Sequence, residues 1–225
     1  GVTTVLEIDH QMPESLKFLH GTTYKAYAFV GDFAGAVFTV GVIWAIVRRY
    51  IQRPYRIRIK TKPEHAVILG TLLAIGLTGF LAEGFRIAVD GMPDYEKYSF
   101  IGYPMATWFD GLSASAIGTW HQWMWIAHVV SFVVFLAILP VTMLRHVFTS
   151  PLNMYLRDKD RPKGAMKPMP NLMETELESF GASVVEDFTW KQLLDTDACT
   201  MCGRCTSVCP AHATGKPLDP REIGL

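Results

Sequence analysis

The chain has 225 residues, half of them hydrophobic and 12% aromatic, and its 21 Lys+Arg balance its 21 Asp+Glu to a formal net charge of zero. That balance, with a positive mean hydropathy of +0.20, argues against a nucleic-acid partner, which needs a basic face. The length allows one or two domains; nothing near Gly1 has the cationic start and small-residue cleavage site of a signal peptide, so Gly1 is expected to reflect processing or preceding residues.

Three segments are apolar over the roughly 20 residues that a helix needs to cross a bilayer. The first is 28–47, AFVGDFAGAVFTVGVIWAIV, with Asp32 near one end. Directly after it, 48–62 carries Arg48, Arg49, Arg53, Arg56, Arg58, Lys60 and Lys62 with no acid, the composition of a cytoplasmic loop. The second span, 65–89, then returns outward, and Glu83 and Arg86 are expected to pair near its outer end. Residues 90–120 carry Asp90, Asp94, Glu96 and Asp110 against Lys97 alone. Within them, 102–120 is amphipathic and broken by Gly and Ser, which predicts an interfacial helix with Trp108 and Trp120 at headgroup depth. The third span, 122–147, runs inward and leaves residues 150–225 on the cytoplasmic side of a multi-pass protein of the cell inner (plasma) membrane. Residues 1–149 are thus the expected transmembrane domain. Residues 150–175, rich in Pro and charge, read as a linker, and 176–225 as a small second domain, incomplete as it stands, with a short helix at TWKQLLD.

All four cysteines, Cys199, Cys202, Cys205 and Cys209, lie in one C-x2-C-x2-C-x3-C-P run. A cytoplasmic position disfavours disulfides, because thiols stay reduced there. Zinc sites usually come as two separated pairs, unlike this run. The spacing is that of a [4Fe–4S] module, with zinc or structural cysteines as the alternative. In this arrangement the fourth cysteine ligates the other cluster of a pair. Cys199, Cys202 and Cys205 are therefore expected to hold one cluster and Cys209 a second, whose other ligands lie beyond Leu225 or on a partner. The fold class is all-α: a transmembrane helix bundle followed by a small ferredoxin-like helical [4Fe–4S] module.

An iron–sulfur module beside a membrane domain calls for an acceptor in or near the bilayer, which turns attention to the seven histidines. His65 opens the second span and His146 closes the third, both at the cytoplasmic edge, so an axial pair for haem b is expected there; edge histidines also serve as headgroup contacts. His128 stands eighteen residues before His146, about 27 Å away along one face of an unbroken helix, although Pro140 between them can kink it. A polar side chain inside an apolar span is costly and usually functional. The position facing His128 on the second span is near Ile75, so His128 has three readings: a second haem, a quinone contact or a hydrogen bond within the bundle. Glycines 70, 76 and 79 suit helix packing or the approach of a flat macrocycle. His121 reads as interfacial and His212 as solvated.

On these residues the membrane part resembles the respiratory nitrate reductase cytochrome b subunit, whose last haem-ligating helix carries two histidines eighteen apart. His128 and His146 meet that pattern, His65 matches one ligand of the facing helix, and Ile75 stands where that family has its fourth histidine. The cysteine segment resembles the iron–sulfur module of D-type heterodisulfide reductase proteins. A chain joining both, with stretches such as TWHQWMWIAH and RHVFTSPLN, is similar to membrane-bound electron-transfer-flavoprotein dehydrogenases. The resemblance implies an oxidoreductase of the electron-transfer-flavoprotein:quinone type, passing electrons from a cytoplasmic donor through [4Fe–4S] clusters and haem b to menaquinone in a respiratory chain, among membrane lipids. It assigns no catalytic residue. Two other functions fit the same residues: the membrane component of a heterodisulfide or sulfur reductase, oxidising quinol, and a non-catalytic iron–sulfur membrane anchor.

Overall fold

A computed structural model describes residues 21–54, 61–160 and 184–223, together with 9, 12, 13, 18, 19, 171, 173 and 174. His10, His20, Arg56, Arg58, Lys60 and residues 161–170, 172 and 175 of the expected linker lie outside the described residues. The chain divides into two compact units, Gly1–Ile138 and Leu139–Leu225. The division falls before the expected one at 149/150.

The first unit is built on three long helices: α1 (Gly21–Ile46, continued by a π-helical turn at Val47–Gln52), α2 (Pro63–Val89) and α4 (Ala114–Ile138). All three are long and apolar enough to cross a membrane. They carry outward apolar side chains such as Phe33, Val37, Val40, Trp44, Trp123, Val130 and Val133, the surface that lipid covers. A short helix α3 (Gly102–Thr107) follows a 3-10 turn at Asp94–Tyr98. Pro63 starts α2 where its missing N–H costs nothing, and Gly91 ends it at φ +74°, a left-handed conformation that glycine adopts without strain.

Helix contacts run through glycine. A Cβ on Gly35 would meet Phe80 at 2.9 Å, and one on Gly76 would meet Thr39 Oγ1 at 2.5 Å, so α1 and α2 approach there closely. A Cβ on Gly79 of α2 would meet the His128 ring of α4 at 3.3 Å, whereas one on Gly70 would meet nothing within 4 Å. At the end remote from His65, Phe85 stacks on Phe109 with centroids 3.9 Å apart. Buried Asp32 accepts from the amides of Ile101 (2.6 Å) and Gly102 (3.2 Å), so an acid of α1 caps the start of α3. Arg86 does not make the expected ion pair with Glu83. Its guanidinium takes the fully buried Glu96 in a forked pair, Nη1 to Oε1 at 2.6 Å and Nη2 to Oε2 at 3.2 Å, the geometry that a planar guanidinium prefers. Tyr24 adds a third bond to Glu96.

Two expectations about the third span change. The run 114–120 is the first part of α4 and not an interfacial helix, because Ser113 acts as its N-cap: its hydroxyl accepts from the Ala116 amide (3.3 Å) and its carbonyl from Ile117 (3.0 Å). The helix also stops at Ile138 and not at 147. Pro140 supplies no amide and disfavours helical backbone in the residue before it.

The second unit contains α5 (His146–Tyr155) after a 3-10 turn at Met143–Arg145, then α6 (Trp190–Asp197), α7 (Arg204–Ser207), α8 (Pro210–Ala213) and α9 (Pro220–Ile223). Helix α6 is the short helix expected at TWKQLLD. Its start is a capping box: Thr189 Oγ1 accepts from the Gln192 amide and Gln192 Oε1 accepts from the Thr189 amide.

Candidate functional site

The cysteines occupy the chain between α6 and α8. Cys199 follows the last turn of α6, its amide donating to the Thr196 carbonyl at 3.1 Å. Cys202 precedes Gly203, which adopts φ +73° as the N-cap of α7. Cys205 lies in α7, and Cys209 caps α8 ahead of Pro210. None of the four is in a disulfide. Among the described residues no three His, Cys, Asp or Glu side chains converge closely enough to hold a metal ion.

The donor set nevertheless suits an iron–sulfur cluster. Amides point at the sulfurs, with Met201 N donating to Cys199 Sγ at 3.4 Å. The Arg204 backbone N–H, followed by weaker contributions from Thr200 and the Arg204 charge, pulls the Cys202 thiol below its ordinary value despite some burial. Donors aimed at sulfur favour the thiolate, which is the metal-binding form. The left-handed residues Met201 (φ +51°) and Gly203 let the loop reverse between cysteines. Behind it, Thr206 donates to Asp219 Oδ1 at 2.6 Å, and Arg221 grips the same carboxylate through its Nε at 3.0 Å. The Arg221 hydrogen bonds, with help from Thr206, hold the Asp219 carboxyl well below the usual carboxylate range. His212 is not simply solvated: its Nδ1–H donates to the Leu218 carbonyl at 3.2 Å.

His65, His128 and His146 share one feature, a hydrogen bond through Nδ1. That leaves Nε2 as the nitrogen to offer a ligand. His65 is buried at the start of α2, its Nδ1 within 3.0 Å of the Lys62 amide and 3.1 Å of the Lys62 carbonyl. His146 begins α5, its Nδ1–H donating to the Met143 carbonyl. His128 is buried in the α2–α4 contact, its Nδ1–H donating to the Ile75 carbonyl at 3.1 Å, with Thr78 Oγ1 at 3.2 Å. The contact to Ile75 is through its backbone carbonyl, and the α2 position whose Cβ would meet the His128 ring is Gly79, one turn further on. His128 and His146 do not share a helix face, because α4 ends between them; His65 and His128 belong to the first unit and His146 to the second.

Sequence reasoning missed the polar groups that hold α5 to α6. Thr149 and Ser150 of α5 donate to the carbonyls of Asp197 and Ala198 at 3.0 and 2.9 Å. Isolated hydroxyls in TSPLN carry no motif, and only the fold gives them partners.

Three helices long and apolar enough to cross a membrane, joined to a four-cysteine run with [4Fe–4S] spacing, define a membrane-anchored iron–sulfur protein. Residues 5–161 match the nitrate reductase gamma subunit family and residues 190–211 a 4Fe-4S binding domain; the chain belongs to the nitrate reductase gamma family over that membrane region. It is similar to an EtfAB:quinone oxidoreductase of Syntrophomonas wolfei, 37% identical over 90% of this chain and 29% of the relative. A probable iron–sulfur-binding oxidoreductase, FadF, of Bacillus subtilis is 30% identical over 91% of this chain and 28% of its own length. A probable membrane-anchored ferredoxin of Chromohalobacter salexigens is 44% identical over 30% of this chain and 8% of its own length. The chain thus spans less than a third of the length of these relatives. No solved structure matches it.

Proposed function

We propose that the chain is the membrane part of an electron-transfer-flavoprotein:quinone oxidoreductase in the inner (plasma) membrane, with its cysteine module on the cytoplasmic side. Electrons pass from the flavoprotein to menaquinone, which takes two electrons and two protons to become the quinol. The observation that carries the reading is the union of two parts in one chain: a nitrate reductase gamma membrane region whose last helix, α5, is hydrogen-bonded to the helix that opens the cysteine module. The name of the Syntrophomonas relative supports the choice of donor.

Cys199, Cys202 and Cys205 hold one [4Fe–4S] cluster, and Cys209 ligates a second with cysteines from outside this chain segment. His65 and His146 are the axial pair of a haem b; the His146 Nδ1–H donates to the Met143 carbonyl, and ligation through Nε2 requires the His65 Nδ1–H to donate likewise to the Lys62 carbonyl in place of accepting from the Lys62 amide. Such second-shell bonds fix the tautomer and orient the ring. Bis-imidazole ligation gives a six-coordinate haem suited to electron transfer. For His128 the facing helix offers a carbonyl and a hydroxyl in place of an imidazole, which favours a quinone contact over a second haem.

The test is a reduced-minus-oxidised spectrum and electron paramagnetic resonance on the purified protein. The low-spin haem b band should vanish in His65→Ala and in His146→Ala but persist in His128→Ala, while Cys202→Ala should remove one [4Fe–4S] signal and leave the haem. A full haem band after either His65→Ala or His146→Ala rules out the pairing. Reduced electron transfer flavoprotein should reduce a menaquinone analogue through the parent protein and not through Cys202→Ala.

A further inference from the structure

Helices α5 and α6 meet through side chains of one and the terminal carbonyls of the other. The last carbonyls of a helix have no partner within it, and here those of Asp197 and Ala198 accept from Thr149 and Ser150. Lys191 of α6 also donates to Asn153 of α5. The Arg145–Asp197 ion pair at 3.0 Å is half exposed at both partners, so solvent screens it and it holds little. The Ala198 carbonyl belongs to the peptide unit whose nitrogen is that of Cys199. Ser150 follows His146 by four residues, so both lie on one face of α5, and the helix's own bonding joins the Ser150 amide to the His146 carbonyl. Two hydrogen bonds and a short covalent segment therefore connect the backbone of His146 to that of Cys199.

We infer that Thr149 and Ser150 are positioning residues for electron transfer, fixing the first cysteine of the module against the helix that carries His146 and bridging the two. The inference rests on the reading above, in which Cys199 holds a cluster and His146 a haem. The step served moves one electron, with no bond made or broken and no proton exchanged. Its rate depends on the placement of the two ligand-bearing segments and on the bonds between them, and the two hydroxyls govern both.

The experiment uses the full protein carrying Thr149→Val with Ser150→Ala, and the hydroxyl-retaining pair Thr149→Ser with Ser150→Thr. One arm measures iron release from the oxidised protein to a ferrous chelator with reductant. The other measures the rate at which a pre-reduced cluster reduces the haem, in samples matched for iron and haem content. The hydroxyl-free pair should release iron roughly tenfold faster, the change that losing one or two ordinary hydrogen bonds allows, and haem reduction should slow by a similar factor. The hydroxyl-retaining pair should behave as the parent in both. Iron release at the parent rate in the hydroxyl-free pair overturns the inference, as does parental haem reduction at matched content. If the parent protein has no haem b band, the haem reading fails, and iron release alone decides whether the hydroxyls position Cys199.

Discussion

Replacing Asp219 tests how the cysteine loop keeps its shape. This carboxylate accepts from Thr206, the residue after Cys205, and from the backbone amide, Nε and Nη2 of Arg221. Side-chain exposure is 2% for Arg221 and 13% for Asp219, so water screens the pair poorly. Asp219→Ala deprives a buried guanidinium of this carboxylate, and breaking a buried pair from one side costs about 3–5 kcal/mol. Asp219→Asn keeps one acceptor of the same shape and loses the charge-assisted share, about 1–2 kcal/mol. At about 1.4 kcal/mol per factor of ten, local opening of residues 204–209 should rise by roughly two to three and a half decades in the alanine variant and about one in the asparagine variant. Hydrogen exchange on the full chain at equal iron content reads this directly, with the Ser207 amide (bonded to the Gly203 carbonyl at 3.1 Å) and the Cys209 amide (to Thr206 at 3.3 Å) as reporters. Unchanged exchange at both amides in Asp219→Ala would show that the Thr206–Asp219–Arg221 bonds do not hold the loop.

The same carboxylate sets a pH dependence. Its folded value is depressed, so its stabilisation is fully present above the ordinary value of about 4 and is lost only as pH falls from there through the folded value; the exchange difference between parent and Asp219→Asn should be flat from pH 5 to 8 and shrink in stronger acid. Glu96→Gln should lower the thermal midpoint of the membrane region by more than Tyr24→Phe, because it removes the forked partner of Arg86 and not a single hydroxyl bond; equal shifts would contradict the role given to the fork. Gly76→Ala should destabilise the bundle by about 1–3 kcal/mol through overpacking on Thr39, whereas Gly70→Ala, with open space around it, should be neutral or stabilising by up to about 1 kcal/mol from helix propensity. Thermal denaturation in detergent compares the pair, and equal losses would refute the packing assignment.

The parts legible in the sequence were those written in one dimension. Three apolar runs and one cysteine run depend on composition and local spacing, and the helices and the match to a 4Fe-4S binding domain agree with them. Counting residues along two antiparallel helices put Ile75 opposite His128, and the structure brings the Ile75 carbonyl to that ring, with Gly79 one turn on beneath it. What failed was the reading of helix ends. Gly111 and Ser113 looked like breaks within an interfacial helix, yet Ser113 is an N-cap, and a cap and a break share the same residue types. The partner of Arg86 was also misjudged: Glu83 is nearer in sequence, but Glu96 arrives on a turn that only the folded chain brings alongside.

Pro140 accounts for the largest difference between sequence and structure, and it bears on the function. Read as one helix, 122–147 makes His146 the far end of a membrane span whose depth is set by the bilayer. With α4 stopping at Ile138 and α5 starting at His146, that histidine opens a helix of the second unit, the unit that also contains the cysteines. Its ring is oriented by Met143 within the intervening turn, and its helix is bonded at Thr149 and Ser150 to the peptide units that lead into Cys199. The separation between His146 and the first cysteine is then governed by short hydrogen bonds inside one compact unit and not by packing among spans. Electron transfer is sensitive to separation, and a proline break that frees His146 from the span places it under the control of the module it is proposed to serve.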